Sequence, residues 1–205
     1  MWALIEDGSI TKHLSGNRGI TIGDIQYSRN IFSFRWSKEE REAIGLYEIV
    51  WNNSKKKDEE YYTNTNQTFT YDADAGTVTA TYGDATAKAH ADTLFTAQDE
   101  SDGKGTEGEV KVEGLKTKKI RTIKLQAAGI LQDTDWYITR KADAGTAVPS
   151  AITTHRAAVR TKCAEMETAI TNASNTAAIE TLYTYTEQED GSVTRPLGEL
   201  PTLEV

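Results

Sequence analysis

Gly103-Lys-Gly105-Thr-Glu-Gly108 has the glycine spacing of a dinucleotide-binding loop. In such a loop the glycines let backbone and a helix N-terminus approach a pyrophosphate, and a hydrophobic strand comes first. Here Asp99, Glu100 and Asp102 come first and would repel phosphate, so the stretch reads as flexible linker. Asp72-Ala-Asp74-Ala-Gly76 begins like a calcium loop. A calcium loop needs a third oxygen ligand before its glycine and an acidic residue at the twelfth position, which here is Gly83. A hairpin turn is the simpler reading. His13, His90 and His155 have no metal-ligand spacing. Cys163 follows His155 by about two turns of one expected helix, ~12 Å along its axis. That is too far to share a metal or to act as nucleophile and base. Cys163 falls on an apolar stripe and reads as a small buried hydrophobe. The basic run Lys116 to Lys124 reads as a solvated face, or as ion pairs to Glu165 and Glu167 of a neighbouring helix. No catalytic residue, cofactor or metal site is assigned.

One stretch stands apart: Leu131-Gln-Asp-Thr134-Asp135-Trp136, followed by Arg140, Pro149, Arg156 and Arg160. A large aromatic in a connection anchors something. In one reading Trp136 plugs the end of a helical hairpin, with Asp135 capping or pairing with Arg140 or Arg156. In the other, Trp136, Asp135, Arg156 and Arg160 form a protein-binding hot spot, where Trp and Arg are enriched.

The elements that would position these residues follow from periodicity and turn chemistry. Trp2 to Ile5, the turn Asp7-Gly8 and the strand resuming at Ile10 predict a hairpin. Ile20 to Ile22, Gly23-Asp24 and Ile25 to Tyr27 predict a second. Ile31 to Phe34 alternates like a third strand. Ser37 with Glu40 spells a capping box for a helix from Lys38 to Ile44, closed by Gly45. Leu46 to Trp51 returns to strand chemistry. Residues 52–60 form a polar loop. Thr68 to Tyr71, the turn Asp72 to Gly76 and Thr77 to Tyr82 predict a third hairpin, its inward face offering Phe69, Tyr71, Val78 and Tyr82.

Residues 98–108 hold glycine and charge without an apolar residue, so a linker is expected, centred on 101–108. It divides a β-rich module, 1–100, from a helical module with an extended tail, 109–205. Leu115, Ile120, Ile123, Ala127, Ile130 and Leu131 fall at helical spacing. A second helix is expected near Pro149, with Ile152, Val159, Cys163, Met166 and Ile170 as its seam. A third, Thr176 to Tyr183, has Ile179 and Leu182 to bury. The fold class is α+β: an antiparallel β-rich module with one short helix, then a helical hairpin plus a short third helix.

Composition narrows function. The formal charge is -8, with -6 in residues 1–105 and -2 in residues 106–205, which argues against nucleic acid as a partner. Hydrophobic residues make up 38% of the chain and mean hydropathy is -0.56, a lean core for 205 residues. An extended shape, two small cores or burial against a partner would explain it. A single cysteine cannot form an intramolecular disulfide. No apolar run approaches the ~20 residues of a membrane helix, and the N-terminal stretch lacks the features of a signal peptide.

Two segments carry a resemblance. The first is Trp36-Ser37-Lys-Glu39-Glu40-Arg41-Glu-Ala43-Ile44-Gly45-Leu46-Tyr47, with Asp58-Glu-Glu-Tyr61-Tyr62 after it. The second is Leu131 with Thr134-Asp135-Trp136, then Pro149 and Arg156-Ala-Ala-Val-Arg160. The chain resembles tail-fibre-associated and tail-assembly-chaperone-like proteins of tailed bacteriophages. In those proteins a leucine-rich helix end leads into Thr-Asp-Trp, and a second helix carries an aromatic-Arg pair and a later Arg. Here His155 stands in the aromatic place. The resemblance implies a non-enzymatic virion component at the tail periphery or fibre attachment. Its partners would be other phage tail or fibre proteins, and a homo-oligomer is a further expectation. Its location would be the virion, and the host cytoplasm during assembly. The alternative is a transient tail assembly chaperone not retained in the virion. A small carbohydrate-active hydrolase is a remote third reading, since it needs two facing carboxylates in a cleft.

Overall fold

The computed structural model describes residues 1–203. They divide into two compact units that meet between Thr86 and Ala87. The class is α+β, as expected.

The first unit is built on strands β1 (Trp2–Glu6), β2 (Ser9–Leu14), β3 (Ile20–Ile22) and β4 (Ile25–Tyr27), then helix α1 (Lys38–Glu42). Strands β5 (Leu46–Asn52), β6 (Tyr62–Thr63), β7 (Thr68–Asp72) and β8 (Thr77–Thr81) follow. Five strands form one sheet in the order β2-β1-β5-β8-β7. All its pairs are antiparallel except β5 with β8, which run parallel. The three expected hairpins form. Asp7 and Gly8 both take positive φ (51° and 72°), the geometry that a two-residue turn between right-twisted strands requires.

Alternation along the strands sends Ala3, Ile49, Val78 and Ala80 to one face, where Tyr47, Trp51, Phe69 and Tyr71 surround them. Leu4 and Leu46, opposite each other in the β1–β5 ladder, are fully buried on the other face. The sheet curls: its outer strands β2 and β7 approach each other, with the His13 ring 4.1 Å from that of Phe69. The capping box is present, Glu40 N–H donating to Ser37 Oγ at 3.1 Å and Ser37 N–H to Glu40 Oε2 at 2.7 Å. Gly45 ends the turn at φ 77°.

One expected strand is absent. Arg29–Phe32 is a 3-10 turn capped by Ser28 rather than part of an alternating strand. Side-chain hydroxyls win the local competition for backbone groups there: Asn30 N–H donates to Ser28 Oγ, and Ser33 Oγ donates to Asn30 O. Ile31 is buried, whereas Phe34 is 95% exposed.

The second unit opens with β9 (Thr86–Ala87) at its boundary, then β10 (Thr93–Leu94), α2 (Ala97–Ser101) and β11 (Val110–Val112). The helices α3 (Leu115–Gln132), α4 (Asp135–Ala144), α5 (Ser150–Asn172) and α6 (Thr176–Tyr183) follow, and then β12 (Thr186–Glu187) and β13 (Val193–Thr194).

The division of the chain thus falls at residues 86–87, not at 98–108. The expected linker is folded because local hydrogen bonds replace the missing apolar residues. Thr96 and Asp99 form a capping box that starts α2. The Asp99 carboxylate also accepts from Lys111 Nζ at 2.7 Å, tying α2 to β11. A Cβ on Gly105 would lie 2.6 Å from the Phe95 ring, so only glycine lets this loop close over that side chain.

The helical core joins Ile123 and Ala127 of α3 to Val159, Cys163, Met166 and Ile170 of α5. Leu197 of the tail lies in the same cluster at 2% exposure, and its N–H donates to Leu182 O. The tail is part of this core rather than an appendage. α3 lacks a side-chain cap of its own. Asp92 supplies one, accepting from Gly114 N–H at 2.7 Å and from Thr117 Oγ1 at 2.8 Å.

Candidate functional site

The Thr134-Asp135-Trp136 stretch was expected to be a plain connection between two helices. It instead begins a ten-residue helix, α4. The signals for that helix are in the sequence: Asp135 in the first turn, Arg140, Lys141, Ala142 and Ala144 as good helix formers, and Gly145 at φ 70° beyond the last turn. α4 has no buried apolar stripe whose periodicity would reveal it.

Arg156, from the second turn of α5, organises the junction. Its guanidinium donates from Nη1 to Leu131 O at 2.7 Å and to Thr134 Oγ1 at 2.6 Å. Its Nη2 pairs with Asp135 Oδ1 at 2.8 Å. Arg156 and Thr134 are both buried, while Asp135 is exposed. One cation therefore joins the Leu131 carbonyl at the C-terminus of α3, which also accepts from the Thr134 N–H and hydroxyl, to a carboxylate in the first turn of α4. Both charges sit at the helix end that favours their sign. Of the two partners expected for Asp135, Arg156 is the one it takes.

Trp136 does not plug the hairpin. It is 51% exposed, and α4 contains no buried residue at all. The Trp136 and Tyr137 ring centroids lie 3.8 Å apart. The Arg140 guanidinium covers both, 4.6 Å from the Trp136 centroid and 5.4 Å from that of Tyr137. Arg140 Nε is buried without a hydrogen-bond partner. Arg160, one turn beyond Arg156, is exposed and makes no ion pair among the described residues. Of the four residues singled out in the sequence, the structure joins Asp135 to Arg156, places Trp136 beside them on α4, and leaves Arg160 outside the junction. Tyr137 and Arg140 complete the surface cluster; their place beside Trp136 needed α4 to be known.

The other chemical motifs are structural. Gly103 follows the C-cap of α2 at φ 70°, so the glycine run lies at the negative end of a helix, the reverse of a phosphate loop. The Asp72–Gly76 segment is the β7–β8 turn, with Ala75 N–H donating to Asp72 Oδ1. Cys163 is buried, its Sγ donating to Glu167 Oε1 at 3.5 Å. Burial first, then Glu167, pushes its thiol up from the ordinary range, away from thiolate chemistry. In the basic run, Lys124 pairs with Glu167 at 3.0 Å, Arg121 with Glu113, and Lys119 lies 4.2 Å over the Tyr183 ring. Among the described residues no group of three or more His, Cys, Asp or Glu side chains is placed to hold a metal ion.

No family model, curated protein or solved structure matches this chain.

Proposed function

We propose that this protein is a non-enzymatic bacteriophage component at the tail periphery or fibre attachment, acting through protein–protein contacts. The resemblance of Leu131, Thr134-Asp135-Trp136 and Arg156 to Arg160 to tail-associated proteins supplies the biological setting. The observation that carries the mode of action is α4. Trp136, Tyr137 and Arg140 cluster on a helix that buries none of its own residues. Trp, Tyr and Arg are the residue types most enriched where partners dock. The Arg156 junction holds that helix in place without covering it.

The acidic charge fits equally a chaperone that releases its client before the particle is finished. Mass spectrometry of purified virions separates the two. A copy number comparable to that of the tail proteins supports the structural role. Absence from virions, with tailless or fibreless particles when the gene is removed, supports the chaperone. Absence from virions together with normal particles after gene removal sinks both.

A further inference from the structure

We propose that the Trp136–Tyr137–Arg140 face of α4 recognises a carboxylate on an acidic segment of its protein partner. This rests on the reading of α4 as a docking helix and adds the chemistry of what docks. Arg140 is a cation held in one position without a counter-charge. Its guanidinium lies over two aromatic rings, its Nε is buried without an acceptor, and no carboxylate reaches it among the described residues. Asp143, three positions on, makes no ion pair with it. Arg121, Arg156 and Arg195 of this unit hold Glu113, Asp135 and Glu199, whereas Arg140 and the exposed Arg160 hold no carboxylate among the described residues; of these two, Arg140 is the one stacked on aromatic rings. In a chain with 31 acidic and 23 basic residues, a pinned guanidinium without a carboxylate is a vacancy that a partner can complete.

The surroundings favour a carboxylate flanked by an apolar residue. The indole and phenol faces exclude water from one side of the guanidinium, which strengthens a charge pair formed there. Little ordering remains to be done on binding, because α4 is fixed at its start by Arg156 and closed by Gly145. The chain's overall negative charge does not forbid an acidic ligand, since charges beyond ~8 Å are largely screened at physiological salt.

The test uses the full-length protein labelled with 15N and an acetylated, amidated peptide, Ala-Leu-Asp-Glu-Leu-Ala-Ala. The Trp136 indole N–H and Arg140 Nε–H signals should shift saturably. The Asn/Gln counterpart of the peptide should bind about tenfold more weakly, and Arg140→Gln should abolish the difference between the two. Equal binding of both peptides, an unchanged preference in Arg140→Gln, or no shift at millimolar peptide overturns the proposal. A peptide with phosphoserine for Asp that binds more tightly than the acidic one also overturns it, in favour of a phosphate site. Virions keep this failure apart from that of the tail reading. Incorporation of Arg140→Gln equal to wild type sinks the carboxylate site alone. Wild-type protein absent from virions, with peptide binding intact, sinks only the structural role.

Discussion

Arg156 shows how one side chain can set an architecture. Removing it takes two hydrogen bonds from a charged donor out of a buried place, while Leu131 O still accepts from the Thr134 N–H and hydroxyl. That costs far more than the solvent-screened pair with Asp135 contributes. Arg156→Ala should destabilise the helical unit by about 2–3 kcal/mol in urea unfolding. Arg156→Lys should recover part of this, since one ammonium can serve the carbonyl but cannot span all three acceptors. Asp99 gives the acid response. The Lys111 ammonium, then the Thr96 backbone and hydroxyl, hold its carboxyl down at about 2. A carboxylate depressed on folding contributes stability that is present above its unfolded pKa and is lost as pH falls towards the folded one. The β10–α2–β11 region should therefore loosen between about pH 4 and 2. Asp99→Asn should flatten that limb when amide exchange of Val110 and Val112 is followed against pH; an unchanged limb would exclude Asp99 as its source.

At the scale of elements, segments with an apolar stripe or a Ser–Glu capping box were legible, and segments with neither were not. α3, α5 and α6 stand where the apolar spacing put them, and Ile152, Val159, Cys163, Met166 and Ile170 are all buried. Each turn of those helices repeats the same signal. α2 and α4 bury no apolar residue of their own, and each depends on polar partners. For α2 these are Thr96 and Lys111, and for α4 the arginine from α5. The tail was read as extended because two prolines flank Leu197 without periodicity. What makes it structural is the groove it enters. Leu197→Ala should cost about 3 kcal/mol in equilibrium unfolding, the usual range for a buried leucine. A cost below 1 kcal/mol would mean the tail is only laid on the surface.

The whole molecule is two compact units with separate cores, one of curled sheet and one of helices. Calorimetry should resolve two transitions. Val78→Ala should lower the midpoint of one and Leu197→Ala that of the other. A single transition moved by both substitutions would show that the cores unfold together. The sequence by itself determined the class, the three hairpins, the capped helix α1 and the apolar seam of the long helices. These depend on contacts within a few residues or on a period repeated many times. It also marked Thr134-Asp135-Trp136 as unusual. Tertiary structure alone decided that this stretch starts a helix, that Trp136 faces outward with Arg140 stacked on it, and that Arg156 is spent on structure. The physical reason is the same in each case. A guanidinium's role is set by which acceptors and rings lie within its reach, and those come from residues distant in the chain or from a helix that must first form.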